Sequence, residues 1–355
     1  MLKIFNKISN RLYTFFLSLN SFKEFQNKKL KFVFFSESKS YQKYSKPIID
    51  VLCKNYPNDV YYFSIDYEDK IYDQGVNNFF VDQLLIKYFF NNLNASNIFL
   101  TLTDLDNHII KKNSKVDRYI YYFHSPISTT KSYTTKAFDS YDVILCNANF
   151  QIEEIRAREK LNNLNKKYLI PTGYFYFDYL KENVDLKNNS NKILVAPSWN
   201  YNLKNFINEN FIELIEVLLN KNEKVIFRPH PEHYKRSRKI LEKIKNKFMN
   251  QNFEFDESVE NLSSMENSKC LITDNSGIAI EYVTVLKRPV FYFDEFDKIH
   301  NSEFKNYKEL KTIDELYKNN FGYVFKRDEF CYIDSIIKKS IDDFKNRIPI
   351  LEKFI

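Results

Sequence analysis

Glycine is scarce in this chain, four residues among 355, so each one marks a place where the backbone needs it. The glycine-rich phosphate cradles are missing: there is no GxxxxGK[ST] loop and no GxGxxG turn. No GxSxG nucleophile elbow occurs either. These absences argue against P-loop nucleotide hydrolases, NAD enzymes and α/β-hydrolases. Cys53, Cys146, Cys270 and Cys331 are far apart, with no CxxC pair and no zinc spacing. They read as reduced thiols, mostly in apolar surroundings, of a cytoplasmic protein. No stretch approaches the ~20 apolar residues of a membrane span. No basic run is dense enough for a nucleic-acid arm. Asp104, Asp106 and His108, and separately Asp294 and Asp297, fall short of a metal-ligand set, so no metal and no cofactor is expected. Internal repeats and low-complexity tracts are absent as well.

What is abundant is aromatic and charged. Phe and Tyr number 34 and 26, and 53 basic residues are interleaved with 46 acidic ones for a net charge of +7. That modest basic balance favours an anionic partner such as a sugar nucleotide, a polyanionic polymer or a membrane surface. Residues 1–25 place Leu2, Ile4, Phe5, Ile8, Leu12, Phe15 and Phe16 near helical spacing with Lys3, Lys7 and Arg11 between, and carry no signal-peptide cleavage site. This pattern fits a packing helix or a helix lying on a membrane surface.

Residues 26–180 alternate apolar strand-like runs with helical patterns. The runs are Lys31–Phe35, Val60–Ser64, Ile98–Asp104, Tyr119–His124, Val143–Asn147 and Tyr168–Tyr174, and Ser128–Ser140 reads as a loop and short helix. The polar stretch Lys181–Lys192 is the best linker. A second alternating series over 190–355 follows, with strands at Ile193–Trp199, Val225–Phe227, Phe253–Asp256, Cys270–Thr273 and Pro289–Phe293. Alternation of this kind predicts α/β domains with mainly parallel sheets. Two Rossmann-type halves facing a central cleft give a GT-B-like architecture.

In open parallel sheets, ligands sit outside the carboxyl ends of the strands. One such end supplies Arg228-Pro229-His230-Pro231. The prolines stiffen the turn, Arg228 can grip a diphosphate bidentately, and His230 can donate to a phosphate or protonate a leaving group. A surface turn with a capping histidine would look the same. Asp274-Asn275-Ser276-Gly277 opens a helix that is apolar nearly all round, so its positive end faces the ligand side. Plain capping explains this cluster too. Glu281, a turn further on, suits ribose hydroxyls or a structural ion pair. Ser198 and Trp199 would line the nucleotide pocket. His124-Ser125-Pro126 ends a strand of the first half, where a histidine can serve as general base. Thr129, Thr130 and Lys131 follow it and suit an anionic acceptor. Pro171-Thr172-Gly173 reads as a hinge.

Arg228–Pro231, Thr273–Gly277 and Glu281–Asp294 together resemble the CDP-glycerol glycerophosphotransferase family, the teichoic-acid polymerases and primases of bacterial cell envelopes. Its members carry Arg-x-His-Pro, a later Asp-x-Ser-Ser and a Lys-Arg-Pro-hydrophobic strand. Two departures stand out: the family's His-Gly-Thr-Pro is here His-Ser-Pro-Ile, with Ser125 for Gly, and Gly277 stands where the family often has Ser. The resemblance implies that His230 and Arg228 bind or activate the donor diphosphate. Ser276 with Asp274 would hold its phosphates, Asn275 and Gly277 would also bind the donor, Glu281 would contact the ribose, and His124 would deprotonate the acceptor. The expected function is transfer of glycerol phosphate, or a similar polyol phosphate, from a CDP-activated donor to a cell-surface polysaccharide or lipid-linked acceptor. Catalysis would need no metal, and the enzyme would be cytoplasmic, peripheral at the inner face of the membrane. A nucleotide-sugar glycosyltransferase of capsule or lipopolysaccharide synthesis, a non-catalytic module with a degenerate site, and a sugar-nucleotide 2-epimerase are the alternatives.

Overall fold

The computed structural model describes residues 2–354 except 74, 108–109, 187–189, 200–206, 208, 250–251, 294–297 and 308; side chains are described from residue 12 to residue 352. His108, Asp294 and Asp297 therefore lie outside the described residues. The chain divides into two compact units. The first holds residues 1–124 and 134–176, and the second 125–133 and 177–355. The chain thus passes between units at 176/177 rather than within the polar stretch 181–192. The segment 125–133, expected with the first half, belongs to the second unit. We call it the strap.

The first unit begins with α1 (Leu2–Phe25) and continues through β1 (Leu30–Ser36), α2 (Gln42–Asn55), β2 (Val60–Ser64), β3 (Val76–Phe80), α3 (Ile86–Asn92), β4 (Ala95–Leu100), β5 (Val116–Tyr122), β6 (Val143–Cys146), α4 (Asn149–Leu161) and β7 (Tyr168–Pro171). Its sheet is parallel in the order β3-β2-β1-β4-β5-β6-β7. Phe34, Tyr62, Phe99, Tyr122 and Leu145 fill one face against Ile48 and Ile49 of α2. Phe34 and Phe99 stack at 4.5 Å. The other face is aromatic: Phe25 meets Phe63 at 4.9 Å, and Phe22 stacks on Phe89 at 6.1 Å. Fully burying each such ring stabilises by roughly 1.5–3 kcal/mol. The C-terminal half of α1 is therefore a packing helix, further tied by the Asp82 N–H donating to Ser18 Oγ at 3.0 Å. Leu12, Tyr13 and Phe16 remain 54%, 60% and 59% exposed.

The second unit takes in most of α5 (Phe175–Asn183), then β8 (Lys192–Val195), α6 (Glu209–Asn220), β9 (Lys224–Phe227), α7 (Pro231–Arg236), α8 (Arg238–Phe248), β10 (Phe253–Phe255), α9 (Leu262–Glu266), β11 (Ser268–Thr273), α10 (Gly277–Leu286), β12 (Val290–Phe293), α11 (Ile313–Phe321), β13 (Gly322–Phe325), α12 (Ile333–Phe344) and α13 (Ile348–Phe354). All strands are parallel, in the order β10-β9-β8-β11-β12-β13. Counted within the unit that is 3-2-1-4-5-6, the dinucleotide-fold order, whose switch point lies between β8 and β11. Ile193, Val195, Val225, Phe227, Cys270, Ile272, Phe291 and Phe293 recur every second residue on one face. They pack against Phe211, Leu214 and Leu218 of α6, Leu241 and Ile244 of α8, and Ile333 and Ile337 of α12. Leu194, Ile226 and Leu271 on the opposite face are also buried, as both faces of a parallel sheet must be.

Two edge strands escape the sequence pattern. β3 carries Asn77 and Asn78 in mid-strand, and β13 is four residues opening on a glycine. A β-carbon on Gly322 would lie 2.5 Å from the Tyr292 ring and 2.6 Å from Lys318 O, so backbone proximity explains that glycine. The helix expected within Ser128–Ser140 is a series of turns instead, because the strap spends its backbone groups on the second unit. Cys146 and Cys270 are buried as expected, whereas Cys53 is half-buried and Cys331 exposed.

Candidate active site

At the switch point, the ends of β8 and β11 are locked together. Asp274 is 5% exposed and accepts the Ser198 backbone N–H at 2.7 Å and the Ser198 hydroxyl as well. Lys298 Nζ donates to that same hydroxyl at 3.0 Å. Burial holds the Lys298 ammonium below its ordinary range, while Asp274 and Asp314 pull the other way. An ammonium has three N–H donors, and Ser198 Oγ is its one hydrogen-bond partner among the described residues. Asp274, expected at the donor phosphates, and Ser198, expected to line the nucleotide pocket, are here bonded to each other across the switch point, and Lys298, which no sequence motif marked, is a cation at this edge. Its neighbourhood arises from contacts between residues 24 and 100 positions apart, so spacing could not reveal it.

Arg228 leaves β9 as predicted, but its guanidinium is engaged. It pairs with Asp256, donates to Ser258 Oγ at 2.9 Å, and donates to the Ser258 and Val259 carbonyls at 2.9 and 3.3 Å. Burial pushes the Asp256 carboxyl up, but hydrogen bonds from Ser258 and Ser264 and the Arg228 charge outweigh it and hold the group below its ordinary value. Arg228 therefore fixes the loop after β10, and its fork is not open to a diphosphate.

His230 is exposed and is the N-cap of α7, its Nδ1 accepting the Glu232 N–H at 3.2 Å. In the neutral ring that bond places the proton on Nε2. The capping and functional readings are thus compatible: the cap aims an N–H donor. Pro231 occupies the first helical turn, where a missing N–H costs nothing. His233, one turn on, is buried with Nε2 at 3.1 Å from Ser198 O and its ring edge-on to Trp199 at 5.6 Å. It joins α7 to the end of β8. Trp199 is buried in this contact and does not stand open as a pocket wall.

Asn275, Ser276 and Gly277 are partly exposed at the start of α10. Ser276 is the N-cap residue, yet its side chain makes no capping bond. From Ala279 to Leu286 the helix is buried, as its sequence predicts. Glu281 is buried with it, 4% exposed, and accepts from Asn261 Nδ2 at 3.2 Å. It faces protein and does not present itself to a ribose. The Lys-Arg-Pro turn is also structural. Lys287 closes α10 in the left-handed region at φ 52, and Arg288 donates to the Glu266 carbonyl at 2.8 Å.

In the first unit, His124 is partly buried, two residues beyond β5. Its ring meets Tyr41 at 5.4 Å and Tyr44 at 6.1 Å, and its carbonyl accepts the Tyr174 hydroxyl at 3.1 Å. Nδ1 is buried without a hydrogen-bond partner among the described residues. Aromatic packing, not a carboxylate, sets the ring's orientation, in contrast to a triad histidine. Burial and then the Lys43 ammonium hold its pKa down to about 4. Lys43 lies over the Tyr176 ring at 4.5 Å and the Tyr44 ring at 5.1 Å. The imidazole is consequently neutral at physiological pH, the state a general base requires.

The strap that follows is anchored on the second unit. Ser128 N–H donates to Asp314 Oδ2 at 2.8 Å, His300 N–H to Lys131 O at 2.9 Å, and Lys131 pairs with Glu315 at 3.1 Å. Thr129, Thr130 and Lys131 are buried there, which removes them from the acceptor role expected of them. Asp104 and Asp106 sit in left-handed turns at φ 64 and 67, with Asp104 accepting from Thr134 at 2.6 Å. Among the described residues, no group of three metal-ligating side chains occurs.

The model of one protein family, described as CDP-Glycerol:Poly(glycerophosphate) glycerophosphotransferase, matches residues 15–313. The chain belongs to this family. No curated protein matches it in sequence. Among solved structures, wall teichoic acid polymerase TagF is 17% identical with a TM-score of 0.58, over 99% of this chain and 93% of that one. A TagF variant soaked with CDPG for 30 minutes is 18% identical at TM-score 0.59, over 99% and 92%. UDP-GlcNAc 2-epimerase of Methanocaldococcus jannaschii, in complex with UDP-GlcNAc and UDP, is 11% identical at TM-score 0.58, over 86% and 92%. These likenesses show the fold: two parallel-sheet α/β domains of GT-B-like type.

Proposed function

We propose that this protein transfers glycerol phosphate, or a similar polyol phosphate, from a CDP-activated donor to a hydroxyl of a cell-surface polysaccharide or lipid-linked acceptor. One observation carries the reading. In a chain of this family, His230 and the partly exposed start of α10 stand at the carboxyl edge of one sheet in dinucleotide-fold order, on either side of β8. The donor diphosphate meets the N–H groups of α10, the Lys298 ammonium and His230 Nε2–H. The acceptor oxygen attacks the phosphorus bearing glycerol and loses its proton to His124. The bond from that phosphorus to the CMP oxygen breaks, and the charge developing on CMP is met by His230 and Lys298. The Lys298 ammonium, the His230 N–H and the helix end supply the stabilisation without a metal ion.

Incubating the purified protein with radiolabelled CDP-glycerol, CMP-sugars and UDP-sugars, each with lipid-linked acceptor, tests this. CMP release and acceptor labelling from CDP-glycerol are expected. Release of UMP or UDP with none of CMP from CDP-glycerol would transfer the chain to the nucleotide-sugar glycosyltransferases.

Membrane contact at the inner face is proposed through Leu12, Tyr13 and Phe16, since no helix among the described residues is long and apolar enough to cross a membrane. Replacing these three by Ser should abolish co-sedimentation with anionic lipid vesicles. Undiminished co-sedimentation would remove α1 from that role.

A further inference from the structure

The strap and α10 meet at one point. An ideal β-carbon on Gly277 would lie 2.0 Å from Ser125 Oγ, 3.3 Å from Ser125 Cβ and 3.4 Å from Ile127 Cγ2. Gly277 is not among the glycines of positive φ, which are Gly75 and Gly173. Its glycine serves space, not dihedral freedom, and the Ser125 hydroxyl takes that space. Ser125 extends from an anchored segment, because Ser128 and Lys131 are tied to Asp314 and Glu315 of α11's first turn. The two departures from the family pattern, Ser125 and Gly277, thus lie a contact apart, one bearing a hydroxyl and the other no side chain.

We propose that Ser125 and Gly277 form an interlocked pair, in which the strap delivers to the first turn of α10 the hydroxyl that residue 277 lacks, making Ser125 a positioning residue for the donor phosphates. This rests on the reading that the donor binds at the start of α10. The helix's own N-cap hydroxyl, on Ser276, makes no capping bond; the Ala279 N–H turns back to the Ser276 carbonyl at 3.0 Å, and the N–H groups of Gly277 and Ile278 precede it at the helix start. A hydroxyl held beside them can accept from an N–H and donate to a phosphate oxygen at once.

The geometry makes the pair separable by experiment. The easiest response to a β-carbon at 277 is rotation of Ser125 about χ1 into another staggered well, since only its terminal oxygen lies within 3 Å. Gly277→Ala then acts as a hydroxyl deletion with the backbone nearly unmoved. Ser125→Ala removes the same hydroxyl without crowding. Each should raise the KM for CDP-glycerol about three- to tenfold, the worth of one hydrogen bond, with kcat changed less. The double variant should be no worse than either single one, and the swap Ser125→Gly with Gly277→Ser should return KM to within about twofold of the parent. Effects that multiply in the double variant, unchanged KM in Ser125→Ala, or a swap no better than Gly277→Ser alone would each overturn the proposal. Thermal midpoints of the same set report the steric fit without donor. Wild-type protein that releases no CMP from CDP-glycerol would remove the donor reading, and this role of Ser125 with it, while the midpoints would still register the packing.

Discussion

Ser198 and Asp274 are joined twice, through the serine N–H and through its hydroxyl, across the β8–β11 switch point. The bond converts the place where this fold usually opens into a closed polar seam, with Lys298 as its cation. A half-buried ammonium with one neutral hydrogen-bond partner among the described residues is under-satisfied there, and a phosphate is the anion that would complete it. Lys298→Met should raise the KM for CDP-glycerol by at least tenfold, with a thermal midpoint close to the parent. Initial rates over a range of donor concentration check this. A fallen midpoint with unchanged KM would make Lys298 a counter-ion of Asp274 only.

His230 has two tasks that one substitution can separate. Asn caps a helix well but cannot deliver a proton. His230→Asn should keep stability within about 1 kcal/mol and lower kcat by about a hundredfold or more, the usual weight of a proton-transferring group. Activity near the parent's in His230→Asn would leave the histidine as a cap.

The pH profile should report Lys43. With the His124 pKa held near 4, kcat/KM should show no limb from His124 between pH 5 and 8. The unfolded imidazole titrates near 6.5. The unfolded chain therefore binds the extra proton between about 6.5 and 4, and the contribution of His124 to stability is full above that window and lost as pH falls through it. Lys43→Met removes a positive neighbour, so the His124 pKa must rise and an acid limb in kcat/KM must move to higher pH. An unmoved limb would mean that His124 does not act as the base.

Arg228 should behave as a structural residue. Its pair with Asp256 is well shielded, with side-chain exposures of 13% and 10%. Breaking such a pair from one side costs about 3–5 kcal/mol. Arg228→Ala should therefore lower the thermal midpoint sharply, and the variant that still folds should keep its donor KM. A raised KM at unchanged stability would return Arg228 to the ligand.

The strand-and-helix alternation was readable because buried parallel strands are short apolar runs, as at Val225–Phe227 and Cys270–Thr273. The carboxyl-edge placement of His230 and the start of α10 followed from it. Partnerships could not be read. Arg-x-His-Pro looks alike whether the guanidinium meets a diphosphate or Asp256, and Glu281 looks alike whether it meets ribose or Asn261. Such choices depend on residues 20 to 28 positions away brought in by the fold. The strap was unreadable for the same reason: nothing local in residues 125–133 announces Asp314.

That strap also makes the two units interdependent during synthesis. Residues 125–133 leave the ribosome with the first unit, yet their partners Asp314 and Glu315 are made some 180 residues later. The larger unit therefore finishes only when a segment made early is recaptured by one made late. A gene divided at residue 177 would encode an N-terminal piece with a stranded strap and a C-terminal piece with an empty seat for it. Fragment complementation, rather than separate expression of each half, is the form in which this protein can be taken apart.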